Sequence, residues 1–103
     1  MAAEPRFDEA IHAPNRLRLC GLLRPVGDAE FSVLRDTLGL SEANLSKTVK
    51  ALADLGYVQV KKESSLSRTD KRRTTSVSLT AKGRRAFDGH VAALQQVAAG
   101  IVV

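Results

Sequence analysis

Leu38-Gly39-Leu40-Ser41-Glu42-Ala43-Asn44-Leu45-Ser46-Lys47-Thr48-Val49-Lys50-Ala51-Leu52-Ala53-Asp54-Leu55-Gly56-Tyr57 reads as the end of one helix, a tight turn and a second helix with two unlike faces. Gly39 can take the left-handed conformation that ends a helix, and Ser41 suits the N-cap of the next. Glu42 then falls in the first turn, where the helix dipole favours an anion. Leu45, Val49, Leu52 and Leu55 recur at the spacing of one buried stripe. Ala43, Lys47, Lys50 and Asp54 fall opposite, with Asn44 and Ser46 beside them, and Gly56 closes the helix.

A helix of about four turns with a small, polar, basic outer face fits the major groove of DNA. Asn and Lys there can reach base edges, while Ser and Ala let the backbone come close. An ordinary amphipathic helix with a solvated face has the same pattern, so the decision rests on the rest of the chain, above all on the residues after Tyr57.

The 103 residues are one domain by size, with 44% apolar content and enough chain for a single modest core. No segment approaches the ~20 apolar residues of a membrane span. Met1-Ala2-Ala3-Glu4-Pro5-Arg6 runs straight into charged residues without the pattern of a signal peptide. A single cysteine excludes an internal disulfide and fits a reducing cytoplasm. The net charge is +5, and it is unevenly placed. Residues 61–85 hold nine Lys/Arg against two acids, which leaves seven basic against nine acidic elsewhere. Such a run serves either as a solvated face or, more sharply, as a seat for a polyanion.

Along the chain, residues 7–12 suggest a short helix that ends before Pro14. Pro14 suits the first turn of a longer helix, predicted to stop at Arg24 because of Pro25. Leu17, Leu19, Cys20, Leu22 and Leu23 leave that helix packed on more than one side, and Gly21 marks a close helix–helix approach. A turn at Gly27-Asp28 precedes a helix from near Glu30 to Leu38, with room for a brief strand around 29–31. After Gly56 the period changes: residues 57–62 read as a strand, 64–73 as a polar basic loop and 74–79 as the returning strand. Thr80 N-caps a last helix, from Ala81 to about Ala99, in which Phe87, Val91, Leu94, Ala98 and Ile101 follow a 4-3-4-3 spacing. That is the seam of a coiled coil, expected to join two copies of the chain; packing back on its own domain is the other use of such a face.

The order helix, helix, turn, helix, strand, basic loop, strand, helix is that of a winged helix-turn-helix. The expected fold is α+β, mainly α, with a three-helix core, a two- or three-stranded wing hairpin and a C-terminal dimerisation helix. One domain fills residues 1–103, core and wing at 7–80 and the terminal helix at 81–103. Gly-Leu-Ser-Glu-Ala-Asn-Leu-Ser-Lys (39–47), Leu-Ala-Asp-Leu-Gly-Tyr-Val (52–58) and Val-Ser-Leu-Thr-Ala-Lys-Gly-Arg (77–84) resemble winged-helix transcriptional regulators of the MarR-like group. The short single-domain members are the nearest in kind, including the Ile-His-Ala-Pro-Asn-Arg-Leu opening at 11–17. In such regulators the wing often carries Asp-x-Arg, whose arginine enters the minor groove. Asp70-Lys71-Arg72 matches it, but the return to Leu79-Thr80 is one residue longer than usual, which leaves both Arg72 and Arg73 as candidates. Larger members have longer terminal helices that build a small-ligand pocket; this chain lacks most of that length, and the resemblance implies no such pocket here.

The DNA-binding candidates are Ser41, Ala43, Asn44, Ser46, Lys47 and Lys50 on the recognition helix, with Arg68, Lys71, Arg72 and Arg73 in the wing. Asn44 suits pairing with adenine or, equally, completing the helix's first turn. His12 and His90 are far apart in sequence and are expected to be structural, and Cys20 a buried, inert thiol. No nucleophile–base pair, phosphate-cradling glycine loop or carboxylate dyad suggests an enzyme, and no cofactor or metal is implied. The sequence thus points to a cytoplasmic homodimeric repressor of transcription bound to double-stranded DNA. A winged-helix module whose basic wing docks an acidic protein is the alternative, against which stands the lack of aromatic or large apolar anchors at 43–50.

Overall fold

The computed structural model describes residues 3–64 and 73–101. Arg68, Lys71 and Arg72 of the expected wing lie outside the described residues, and Arg73 is described by its backbone as the first residue of a strand. The elements in order are α1 (Glu9–His12), α2 (Pro14–Val26), β1 (Asp28–Glu30), α3 (Phe31–Leu38), α4 (Glu42–Asp54), β2 (Val58–Ser64), β3 (Arg73–Leu79) and α5 (Ala81–Ala98).

Four helix starts have a local cause. The Asp8 carboxylate accepts from the Ala10 and Ile11 amides and opens α1. Pro14 takes the first position of α2, where no N–H is needed. Ser41 and Thr80 cap α4 and α5, their hydroxyls accepting from the Asn44 and Gly83 amides at 3.1 and 2.9 Å. Gly39, at φ +66°, makes the left-handed turn between α3 and α4 that a side chain would resist.

One helix end departs from expectation. Pro25 does not halt α2, which continues to Val26. Proline removes one ladder hydrogen bond, and this close to the end there is little ladder left to lose; the Gly27 amide then closes the turn by donating to the Leu23 carbonyl at 2.7 Å.

The sheet has three antiparallel strands in the order β1-β3-β2. Val77 is flanked by Ala29 of β1 and Val60 of β2, so the short segment at 28–30 is a true third strand, registered one residue earlier than the sequence suggested. Packed on the sheet is a core of α2, α3 and α4 side chains: Leu19, Cys20, Leu23, Leu34, Leu38, Leu45, Val49 and Leu52 with Val58, Val77 and Leu79. This is the winged helix fold, mainly helical with an antiparallel wing. Among the described residues no helix is long and apolar enough to cross a membrane.

Candidate nucleic-acid interface

On α4 the inward stripe is Leu45, Thr48, Val49 and Leu52. Thr48 was absent from the sequence-derived stripe, yet it is buried because its hydroxyl donates to the Asn44 carbonyl one turn back, at 2.9 Å. Leu55 was included, but it is the C-cap and is 38% exposed, since the helical period no longer aims it at the core.

The remaining face is open. Ser41, Ala43, Asn44, Ser46, Lys47 and Lys50 are all exposed, and helical spacing sets the last five on one side of the helix. In the first turn the Asn44 backbone amide donates to the Ser41 hydroxyl at 3.1 Å. Among the described residues no hydrogen bond or ion pair engages the Asn44 amide group, the Ser46 hydroxyl or the Lys47 ammonium. Lys50 pairs with Asp54 one turn on, at 3.2 Å, but both side chains are largely exposed and such a pair is weak and exchangeable.

The surface formed by the N-terminal segment and α5 is built differently. The Arg6 amide donates to the Gly89 carbonyl at 2.9 Å, which lays residues 4–6 along the helix. A Cβ on Gly89 would press on the Glu4 carbonyl at 3.2 Å. The Asp8 amide donates to His90 Nδ1 at 2.9 Å, so that nitrogen is an acceptor and the ring is neutral, with its proton on Nε2. Nε2 in turn donates to His12 Nδ1 at 3.2 Å. Residues 78 positions apart thus touch, a contact the sequence did not disclose. Phe7 packs against both rings, with centroid distances of 4.9 and 4.7 Å. Burial and the neighbouring His12 hold the His90 pKa below its ordinary value. Groups of three or more His, Cys, Asp or Glu that would enclose a metal do not occur among the described residues.

Asp8 also ties this surface to the end of α4. Its second oxygen accepts from the Tyr57 hydroxyl at 2.6 Å, and that bond, with burial, lifts the Tyr57 pKa to about 12. Tyr57 lies just after the Gly56 turn that ends α4, so the contact fixes the α4–β2 corner. Gly83 completes the corner: a Cβ there would collide with the Tyr57 carbonyl, which accepts from both the amide and the hydroxyl of Thr80. Arg24 forms a two-pronged pair with Asp88 at 2.8 and 3.0 Å, holding α2 to α5 and lowering the Asp88 pKa. Cys20 is fully buried, and burial pushes its thiol up to about 11, well away from a reactive thiolate.

The expected dimer seam divides in two. Phe87 packs on the domain's own core, its ring 3.8 Å from where a Cβ on Gly21 would stand; this is the approach that glycine marks. Val91 and Leu94 are half-buried, while Ala98 and Ile101 are exposed and Val97 beside them is 54% exposed. An open groove of about 1110 Å³ runs along this helix, edged by Arg6, Tyr57, Lys82, Arg85 and Gln95.

Comparison with known proteins places the architecture. Residues 16–98 match the family of winged helix DNA-binding domains. An uncharacterized protein of Methanocaldococcus jannaschii is 30% identical over 86 residues, covering 84% of this chain and 89% of its own. The structure of a transcriptional regulator homologue from Pyrococcus horikoshii OT3 superposes with a TM-score of 0.80 at 26% identity, over 90% of this chain and 88% of that one. A MarR family transcriptional regulator from Silicibacter pomeroyi gives 0.66 at 26% identity, over 89% of this chain and 58% of its own.

Proposed function

This chain belongs to the winged helix DNA-binding domain family, a family of transcription regulators and not of enzymes, and from that premise we propose how it meets DNA. A cytoplasmic homodimer, joined along Val91, Leu94, Ala98 and Ile101 of α5 and the turn after it, with Phe87 of the expected seam packed on each copy's own core, sets two copies of α4 in successive major grooves of a two-fold-related site. Lys47 and Lys50 contact phosphate or guanine, Asn44 pairs with an adenine edge, and Ala43 and Ser46 allow close approach. Arg68, Lys71, Arg72 and Arg73 carry the wing to the minor groove and its phosphates. Occupancy of a promoter by such a dimer excludes other proteins from it, and the chain acts as a repressor.

The observation that carries this reading is the open face of α4, where Asn44, Ser46 and Lys47 side chains hold no partner among the described residues and Lys50 has only an exposed pair with Asp54, while Asp8, His90 and Arg24 at the α5 contact are engaged. Footprinting on the DNA upstream of the protein's own gene tests it. Two protected half-sites with centres about 34–36 Å apart are expected. A single protected half-site contradicts the dimer, and no protection contradicts the site-specific reading.

A further inference from the structure

The two lysines in the middle of β2 are adjacent in sequence and opposite in circumstance. Strand side chains alternate between faces, so Val58, Val60 and Lys62 share one face and Lys61 and Glu63 the other. Lys61 has a partner on its own face: its ammonium lies 2.9 Å from Glu63 in an exposed pair, with Asp28 of β1 adding to the attraction. No ion pair engages Lys62 among the described residues.

Lys62 instead borders a groove of about 430 Å³ between α4 and the sheet, floored by Val49 and Val60. Across that groove stand Glu42, Ser46 and Lys50, successive turns of one side of α4. At Ser46 and Lys50 the groove therefore presents a hydroxyl without a partner among the described residues and an exchangeable ammonium, opposite the Lys62 ammonium, with the Glu42 carboxylate one turn away from Ser46 toward the start of the helix. A winged helix that puts α4 in a major groove and its ribbon at the neighbouring minor groove straddles one DNA backbone, whose phosphates pass over this gap.

We propose that Lys62 is a phosphate-binding residue: with Ser46 and Lys50 across the groove, it grips a backbone phosphate of the duplex between recognition helix and wing. The assignment rests on the DNA-binding reading above and adds a residue to it. Lys62 donates a charge-assisted hydrogen bond to one phosphate oxygen, and the Ser46 hydroxyl donates to another. Lys50 exchanges Asp54 for the phosphate when DNA arrives. Glu42 repels phosphate, which confines the contact to the Lys50 end of the groove. A phosphate contact reads no sequence, so Lys62 supplies affinity and register and no base preference.

Fluorescence anisotropy over a range of salt concentrations tests the assignment, with a labelled mixed-sequence duplex and the duplex from upstream of the gene. Lys62→Gln is expected to weaken binding to both duplexes by the same factor and to reduce the slope of log affinity against log salt by about 0.9. Lys62→Arg restores the slope, and Lys61→Gln changes it less. A Lys62→Gln slope equal to that of the unaltered protein, or an equal loss in Lys61→Gln, overturns the assignment and leaves the DNA-binding reading standing. Failure of the unaltered protein to bind either duplex at low salt overturns both.

Discussion

The outer face of α4 and the surface shared by the N-terminal segment and α5 are both polar, and they use their polar groups in opposite ways. Where α5 meets the N-terminal segment and α2, Asp8, His90 and Arg24 are engaged within the chain. Asp8 accepts two amides on one oxygen and a phenol on the other, His90 uses both ring nitrogens, and Arg24 meets Asp88 with two nitrogens. On α4 the Asn44 side-chain amide, the Ser46 hydroxyl and the Lys47 ammonium have no partner among the described residues. Polar groups engaged within the chain hold the fold together; those left open are available to another molecule. The contrast separates a surface that sets stability from one that sets binding, and substitutions on the two should affect different measurements.

The largest effect is expected at Gly83. Gly83→Ala drives a methyl into the Tyr57 carbonyl, a backbone group that cannot rotate away, and should lower unfolding free energy by roughly 3 kcal/mol in denaturant titrations. Tyr57→Phe comes next. It removes the hydrogen bond to the Asp8 carboxylate, and since both residues are partly exposed the loss should be about 1.5 kcal/mol. Per folded molecule, DNA affinity should hold in both variants; a large loss there would break the separation.

Acid should act on the same surface more gently. His90 is favoured neutral in the fold, so its folded pKa lies below the ordinary 6.5. As pH falls the unfolded chain binds the proton first. The contribution is full above about pH 6.5 and is lost as pH drops through that value toward the folded pKa. Protonation also sets an N–H on Nδ1 against the Asp8 amide that now donates to it. Denaturation midpoints between about pH 7.5 and 5.5 should therefore fall less in His90→Asn than in the unaltered protein. Parallel falls would exclude His90 as the cause. The smallest stability change is expected at Lys47→Ala, within about 0.5 kcal/mol, because an exposed side chain without a partner leaves nothing unsatisfied.

The two regions also differ in how far the sequence disclosed them. The α4 face was legible because helix caps and a 3.6-residue period are local: Ser41, Gly39 and the Leu45–Val49–Leu52 stripe stand where the spacing put them. The α5 surface depends on contacts between distant residues, and no local pattern carries these. His12 and His90 gave no sign of meeting, and Gly83 gave no sign of the carbonyl above it. Gly21 did signal a close approach, though the aromatic it receives, Phe87, is also a member of the 4-3-4-3 seam. Pro25 misled because a proline's effect depends on how much helix remains beyond it. Lys62 was hidden within a run of basic residues; only the pleat shows that it and Lys61 face opposite ways.

The central claim is that the open face of α4 reads DNA sequence. Its most direct test is an anisotropy titration near physiological salt with two duplexes of equal length, one from upstream of the gene and one scrambled, for the unaltered protein and for Asn44→Ala/Lys47→Ala. The account predicts a preference of ~10³-fold or more for the true duplex, largely lost in the double variant while the fold stays intact. Equal affinity of the unaltered protein for both duplexes, or a double variant that keeps the full preference, would contradict it.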